Sequence, residues 1–424
     1  MIAAIAPILI AIACLALRLI NLATPKGFVF DEVYYVDGAR DFLKYGVEVT
    51  GNKPEFIVHP PVGKWLIASG IKLFGDNEFG WRFATAICGT LLILLFARLV
   101  HVLFYSPLLT AIAAFLMACD GLALVHSRTA LLDLFLTFFV LLAVYLWHQQ
   151  HHWLAAISIG LAMGTKWSAL YFLVMLLFIS LYKIFSQHPS KDLLRPIAIK
   201  FLQYGVLPVL VYISTWTGWF LSNRGWDRQW SPNVISSWLH YHSEMLSFHT
   251  GLTEKHSYQA NPWSWMVMGR PTSFFYDSPQ GCGNNSCAQE VLALGTPLLW
   301  WAGTIACAIV IGFWFRSLVR RTSDPVLNIV VLGLAAGYLP WFFFQQRTVF
   351  TFYAIIFEPF MLLAIIYCAK ALLDSSLKPA LSQSLIAAFV VIVFLNFIYF
   401  LPLFTGEIIT YDSWFHRMWL PSWI

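Results

Sequence analysis

The sequence predicts an all-α integral membrane protein of about eleven transmembrane helices, and three observations carry that reading. First, 59% of the 424 residues are hydrophobic and 11% are charged, against about 25% charged in soluble domains. A water-soluble core cannot hide that much apolar surface, so the chain crosses a bilayer many times. Second, the apolar residues gather into about eleven long segments. Third, the cations between those segments divide unevenly between the two sides.

The segments are residues 2–22, 83–104, 108–126, 129–147, 153–168, 169–186, 201–221, 291–315, 326–343, 349–369 and 380–401. The fifth is short enough to be tilted or partly re-entrant. The N-terminal run MIAAIAPILIAIACLALRLINL lacks a basic n-region, so it reads as a retained first span and not a cleaved signal. With a cytoplasmic N-terminus, the inner connections hold Arg98, Lys183, Lys191, Arg195, Lys200, Arg316, Arg320, Arg321, Lys370 and Lys378. The short outer connections hold only Arg128, Lys166 and Arg347, which satisfies the positive-inside rule and places the C-terminal tail, residues 402–424, outside. Two long outer loops remain, residues 23–82 and 222–290. No repeat, low-complexity segment or appended soluble domain is visible, so residues 1–424 read as a single membrane domain.

The net charge of +5 does not point to nucleic acid, because no basic run of five exists and the cations behave as topology signals. Aromatics reach 17%, with 19 Trp, which suits interfacial belts and a sugar or lipid site. Cys14, Cys88, Cys119, Cys307 and Cys368 lie in apolar stretches and read as core thiols. Cys282 and Cys287, in GCGNNSC, sit in a polar loop where a disulfide is open if the loop faces an oxidising compartment. No further ligands stand near them at zinc spacing, and no metal is expected elsewhere.

Function on such a chain belongs to the outer loops. The first loop contains GFVFDEVYYVDGARDFLKYG, with adjacent acids Asp31 and Glu32. DEVYYVDGARDFLKYG reads as an interfacial helix, with Tyr34, Tyr35, Ala39, Phe42 and Leu43 at near-helical spacing. Charged groups at membrane depth cost several kcal/mol unless paired or solvated, so each is a candidate. Arg18 ends the first span, where it either snorkels to headgroups or serves the acid pair. In HSRTALLDLFLTFF, Arg128 and Asp133 are five residues apart, about 140° around a helix, so they do not pair directly. A planar guanidinium there suits the phosphate of a lipid, whether substrate or headgroup. Arg347 in QQRTVFTFY and Lys166 in GTKWSALY add cations on the same side. His59 and His256 are outer-loop residues, structural or functional, and Trp263, Trp265 and Tyr276 are stacking surfaces or belt aromatics. Glu358 lies deep in a span beside Pro359 and is not expected to be catalytic. No Walker, GxSxG or HExxH motif occurs.

The runs FDEVYYVDGARDFLKYG, HPPVGKWLIA, HSRTALLD, GLAMGTKWSALY, HSYQANPWSWMVMGRPTSFFY, RTVFTFYAIIFEPF and RMWLPSWI resemble, in the same order, the protein O-mannosyltransferases in their bacterial form. These are membrane glycosyltransferases of the GT-C class, and the resemblance runs from about residue 18 to the C-terminus. It implies a polyprenyl-phosphate mannose donor, a Ser or Thr acceptor on secreted or membrane proteins, an inverting transfer and no metal cofactor. It implies a multi-pass protein of the plasma membrane whose active site faces the extracytoplasmic side, with the translocon as a further partner. The family's acid pair matches Asp31 and Glu32, and its arginines match Arg18 and Arg128. Two departures stand out. The chain has no room for the β-trefoil of eukaryotic relatives, and Ser257 follows His256 where those relatives have Pro.

A hydroxyl is a weak nucleophile, so Asp31 is the expected base. Arg128, with Arg347 as the weaker choice, is expected to stabilise the phosphate as its charge develops. Arg18 and Glu32 are expected to form a salt bridge that orients the acid loop. The sequence leaves open a GT-C transferase acting on a lipid or glycan acceptor, a polyprenyl-lipid flippase, and a structural subunit of a larger glycosylation complex. The identity of the hexose is not legible.

Overall fold

In the computed structural model, residues 2–51, 53–187 and 193–424 are described. Lys191, one of the inner cations, lies outside them. The helices in chain order are α1 (Ile2–Leu19), α2 (Glu32–Tyr45), α3 (Val62–Phe74), α4 (Glu78–Phe104), α5 (Pro107–Ala118), α6 (Gly121–Ser127), α7 (Asp133–His148), α8 (His152–Met163) and α9 (Ala169–Gln187). They continue as α10 (Leu194–Phe201), α11 (Leu207–Thr215), α12 (Thr217–Leu221), α13 (Val234–Gly251), α14 (Pro297–Val319), α15 (Pro325–Gly337), α16 (Glu358–Leu373), α17 (Pro379–Thr405) and α18 (Tyr411–Phe415). A two-residue ladder joins β1 (Val49–Thr50) to β2 (Lys53–Pro54), and a second sheet contains β3 (Thr272–Asp277), β4 (Cys287–Ala293) and β5 (Ile408–Thr410).

Each apolar segment read from the sequence overlaps a helix, but the lengths differ from the expectation of eleven full spans. Among the described residues, five helices are long and apolar enough to cross a membrane: Glu78–Phe104, Leu194–Thr215, Pro297–Val319, Pro325–Phe344 and Pro379–Thr405. Residues 194–215 stay helical through a π turn at Leu202–Val206. A sixth span exists if α5 and α6, bent by 63°, are counted together. The bend has a local cause. The Asp120 side chain caps α6 by accepting the Ala123 N–H at 3.0 Å and also accepts the Trp300 indole N–H at 2.6 Å. A buried carboxylate satisfied at that break stops α5 and starts α6. The segments on α1, α7, α8 and α9 give shorter apolar helices.

The structure is predominantly helical, as expected, and a three-stranded antiparallel sheet is added to the helices. β3 pairs with β4, Thr272 opposite Ala293 and Asp277 opposite Gln289, and β5 adds to the other edge with Thr410 opposite Cys287. The span drawn from residue 291 therefore starts at Pro297, because residues 287–293 are a buried strand. The Cys282–Cys287 disulfide closes the β3–β4 connection. The C-terminal tail packs onto the same region. Trp414 donates to Glu290 at 2.6 Å, Trp423 donates to the Met268 carbonyl at 2.8 Å, and Arg270 donates to the Ser422 carbonyl at 2.7 Å.

The chain forms two compact units. One contains residues 1–30, 85–129 and 254–424, with α5, α14, α15, α16, α17 and the sheet. The other contains residues 31–84 and 130–253, where α2 packs on α3 and α7 forms a hairpin with α8. The α2–α3 approach depends on Gly38, where a Cβ would stand 2.8 Å from the Lys64 side chain. Lys64 there forms a buried ion pair with Glu48.

Candidate active site

The acid pair sits at the start of α2, with Asp31 as its N-cap and Glu32 as its first residue. The two carboxylates have different surroundings. Glu32 is fully buried, and Arg82 of α4 holds both its oxygens, Nε to Oε1 and Nη2 to Oε2, each at 2.8 Å. The Ala130 N–H also donates to Glu32 Oε1 at 2.8 Å. Glu32 thus ties three segments together, and its partner corrects the expected Arg18–Glu32 salt bridge.

Asp31 is half-buried, and its carboxyl does not cap its own helix. It takes a hydrogen bond from Tyr35, one turn along α2, and lies in the field of Lys166 and Asp133. Lys166 is bonded to both Asp133 oxygens, at 2.9 and 2.8 Å. Burial is the largest influence on Asp31 and pushes its carboxyl up to about 6, opposed by Lys166 and by Tyr35 and reinforced by Asp133. A carboxylate with that value is ionised at neutral pH yet basic enough to take a proton.

The wall around Asp31 is aromatic. Tyr35 packs on His59 with ring centroids 5.9 Å apart, His59 on His249 at 5.3 Å, and His249 on Trp167 at 5.9 Å. Trp167 directly follows Lys166, so the ring series runs from one neighbour of Asp31 to another. His59, His249 and Trp167 are half-buried and present both faces and edges. Backbone ties hold the wall: Val62 N–H to the Gly164 carbonyl at 2.9 Å, Lys64 Nζ to the His59 carbonyl at 3.0 Å, and His249 Nε2 to the Val58 carbonyl at 2.7 Å. Rings, carboxyl and ammonium together suit a polyhydroxylated molecule or a peptide hydroxyl. Asp133 pairs with Lys166 and Glu32 with Arg82. Among the described residues, no three His, Cys, Asp or Glu side chains gather as a metal-ligand group.

The expected phosphate arginines lie in the other unit and are spent differently. The Arg128 guanidinium is buried. Its Nη1 donates to the carbonyls of Leu17, Arg18 and Ile20 at 2.8–3.0 Å, and its Nη2 donates to that of Asn21 at 2.8 Å. Leu17 and Arg18 lie in the last turn of α1 and Ile20 and Asn21 just beyond it, so Arg128 is a clamp on the C-terminus of that helix. This corrects the expectation of a fork turned to a lipid phosphate. Arg18 is fully buried, donates to the Cys14 carbonyl at 3.3 Å, and has Glu358 within its electrostatic reach. It makes no ion pair among the described residues. Gly89 gives Arg18 its room, since a Cβ there would stand 3.2 Å from Arg18 Nε and 2.0 Å from Ser127 Oγ.

Arg347 is half-buried after the turn Leu339–Phe344, in a segment stitched to the second loop. Ala260 N–H donates to the Val349 carbonyl at 2.9 Å, and Asn261 Nδ2 donates to Gln345 at 3.0 Å. The exposed His256 belongs to that stitch, its ring 5.1 Å from Phe350. Trp263 is 71% exposed, with its ring against Phe342. Trp265 is corrected as a stacking surface. It is fully buried, bonds the Ala260 carbonyl at 2.9 Å, and packs among Tyr338, Trp341 and Tyr353.

Phe30, just before Asp31, adopts φ 52°. A bulky residue in the left-handed region costs about 1–3 kcal/mol and persists only when its surroundings hold it. Phe30 packs on Phe274, Phe350, Phe352 and His256. Four rings thus hold Phe30 in that conformation.

Arg82, Tyr35, His249 and Trp167 were not singled out as site residues from sequence. Arg82 had a legible signal, a lone cation five residues into the long helix α4, but the span drawn from residue 83 left it one position outside.

The chain is similar to known proteins along nearly its whole length. Residues 8–221 match the family described as dolichyl-phosphate-mannose-protein mannosyltransferase, and residues 234–423 match the C-terminal four TMM region of protein-O-mannosyltransferase. A polyprenol-phosphate-mannose–protein mannosyltransferase of Mycobacterium tuberculosis is 32% identical, over 98% of this chain and 91% of that protein. The Mycolicibacterium smegmatis protein of the same description is also 32% identical, over 96% and 90%. The structure of the Saccharomyces cerevisiae protein O-mannosyltransferase Pmt1–Pmt2 complex bound to the sugar donor superposes with a TM-score of 0.84 at 15% identity, covering 100% of this chain and 93% of that one. ArnT from Cupriavidus metallidurans shares the fold more distantly, at a TM-score of 0.56 and 12% identity, over 94% and 76%.

Proposed function

Because the chain belongs to the protein O-mannosyltransferase family, we propose that it transfers a mannosyl residue from a polyprenyl phosphate to Ser or Thr hydroxyls of translocated proteins. The observation that carries this reading is the division of labour in the acid pair. Glu32 is saturated by Arg82 and Ala130, whereas Asp31 is half-buried, titrates near 6 and borders an aromatic wall.

Asp31 takes the hydroxyl proton as the acceptor oxygen bonds to the anomeric carbon. The bond from that carbon to the phosphate oxygen breaks, and its electron pair leaves on the phosphate. One displacement inverts the centre, and no second carboxylate is needed, unlike a retaining glycosidase. Phosphate leaves without a proton when a cation meets its charge. Arg347 is the proposed contact. Arg18 and Arg128 act as positioning residues at the end of α1. His59 and Trp167 are the proposed acceptor or sugar contacts, His256 and Trp263 weaker ones. The transfer needs no metal, consistent with Glu32 and Asp133 each facing a cation. Eleven spans, a cytoplasmic N-terminus, an extracytoplasmic active site in the plasma membrane and delivery of acceptors by the translocon complete the reading.

The test is the acceptor. Purified protein is given radiolabelled polyprenyl-phosphate mannose with either a Ser/Thr-rich peptide or a membrane lipid extract. Label that becomes protease-sensitive and peptide-bound supports the reading, and label only in lipid overturns it.

A further inference from the structure

A cleft of about 290 Å³ opens between α5, α14, α16 and α17, and none of the residues assigned to transfer lines it. Its lining is apolar and includes Ile305, Ile309, Ile365, Leu372, Ile386 and Phe389. α14 and α17 are long and apolar enough to cross a membrane, and α5 is so together with α6 if that bent pair is one span, so the natural content of the cleft is a hydrocarbon chain and not water.

The helix faces that line the cleft continue into cations. On α14 the lining residues Ala302, Ile305, Ala306 and Ile309 share one face, and a 3.6-residue repeat carries that face on to Gly312, Arg316 and Arg320. Gly312 has nothing within 4 Å of its Cβ direction, so the cleft's side of the helix stays open towards Arg316. On α17 the lining residues Leu385, Ile386 and Phe389 share a face with Ser382, and Lys378 stands one turn before it. Ser382 is 1% exposed, and its hydroxyl has no hydrogen-bond partner. A buried hydroxyl without a partner costs about 1–3 kcal/mol, which a ligand oxygen or amide would recover.

Charge at this end is one-sided. The connections 316–324 and 370–378 hold five cations and two carboxylates. Both carboxylates are engaged: Asp374 with Lys370, and Asp324 with the Val326 N–H at 2.8 Å and the Tyr367 hydroxyl at 3.2 Å. Arg316, Arg320 and Lys378 are exposed and make no ion pair among the described residues.

We infer that this cleft is a binding site for an anionic phospholipid, with an acyl chain in the cleft and the headgroup phosphate among Arg316, Arg320, Lys378 and the Ser382 hydroxyl. The polyprenyl donor is not the occupant. Arg316 and Arg320 of the basic cluster stand at the C-terminus of α14, before α15, whereas Arg347, the phosphate contact proposed for transfer, follows α15 and the turn Leu339–Phe344. The lipid therefore braces α14, α16 and α17 against one another.

Native mass spectrometry of the full chain in detergent tests this with added dioleoyl phosphatidylglycerol or phosphatidylcholine. The wild type retains phosphatidylglycerol at least tenfold more tightly. A triple variant, Arg316→Gln, Arg320→Gln and Lys378→Gln, loses that preference while its lipid-free melting temperature is unchanged. Gly312→Trp, which fills the open side, weakens both lipids. Equal binding of the two lipids by the wild type, an unchanged preference in the triple variant, or displacement of phosphatidylglycerol by polyprenyl phosphate would each overturn the inference.

Discussion

Arg82 grips Glu32 through two parallel hydrogen bonds of 2.8 Å, and both side chains are completely buried. A buried ion pair adds little beyond its own desolvation cost, but removing one partner strands the other charge at about 3–5 kcal/mol. Arg82→Gln is therefore expected to lower the melting temperature in detergent sharply, and Arg82→Lys to recover little because the bidentate fork is lost. Glu32→Gln with Arg82→Gln should melt higher than Arg82→Gln alone. A single Arg82 variant as stable as wild type contradicts the assignment.

The Asp31 carboxyl, pushed up to about 6 from its ordinary 3.8, sets the pH dependence of transfer. Below that value Asp31 is protonated and cannot accept the hydroxyl proton, so kcat/KM is expected to fall about tenfold per pH unit and to plateau above it. The Tyr35 hydrogen bond favours the charged form, so Tyr35→Phe raises the pKa and moves the acid limb to higher pH. Lys166→Met acts in the same direction. An acid limb that stays in place in both variants contradicts this arrangement.

Arg128 and Arg347 separate by kinetics. Arg128 clamps four carbonyls in and just after the last turn of α1, so Arg128→Ala lowers the melting temperature and kcat together. Arg347→Ala is expected to raise KM for the lipid donor while leaving the fold intact. A donor KM that rises only in Arg128→Ala would restore Arg128 to the phosphate.

Trp263 and Trp265 are two residues apart and opposite in exposure. Trp265→Ala empties a buried site and costs about 3–5 kcal/mol. Trp263→Ala is expected to leave the melting temperature within a degree or two and to show itself only in acceptor KM. Equal melting behaviour of the two variants contradicts the burial.

Chelation tests the metal-free reading. Activity in EDTA is expected to match activity without it, and strong inhibition restored by Mg²⁺ or Mn²⁺ overturns it.

The apolar segments, the acid pair and the helix after it were legible because hydropathy and period are local properties. The partners were not. Glu32 finds Arg82 fifty residues on, and nothing in the spacing separates Arg82 from Arg18 as its partner. The interfacial stripe was drawn through Tyr34, Tyr35, Ala39, Phe42 and Leu43; Tyr35 and Ala39 lie on the buried face with Val36, whereas Tyr34 and Leu43 are exposed. Both faces of α2 carry large side chains, so periodicity alone could not choose between them. The sheet was missed because the end of β4, Val291–Ala293, leads through Leu294 towards the apolar helix α14, and that join reads as the start of a helix. Arg128 looked available because its carbonyl partners are backbone atoms, which composition does not reveal.

The measurement that bears most directly on the central claim compares wild type, Asp31→Asn and Asp31→Glu in transfer from synthetic polyprenyl-phosphate mannose to a Ser/Thr-rich peptide, with donor binding followed in parallel. Loss of the base is expected to cost on the order of 10²–10⁴-fold in kcat for Asp31→Asn, with donor affinity and melting temperature unchanged and partial activity in Asp31→Glu. An Asp31→Asn protein that transfers mannose at the wild-type rate would remove Asp31 from the chemistry.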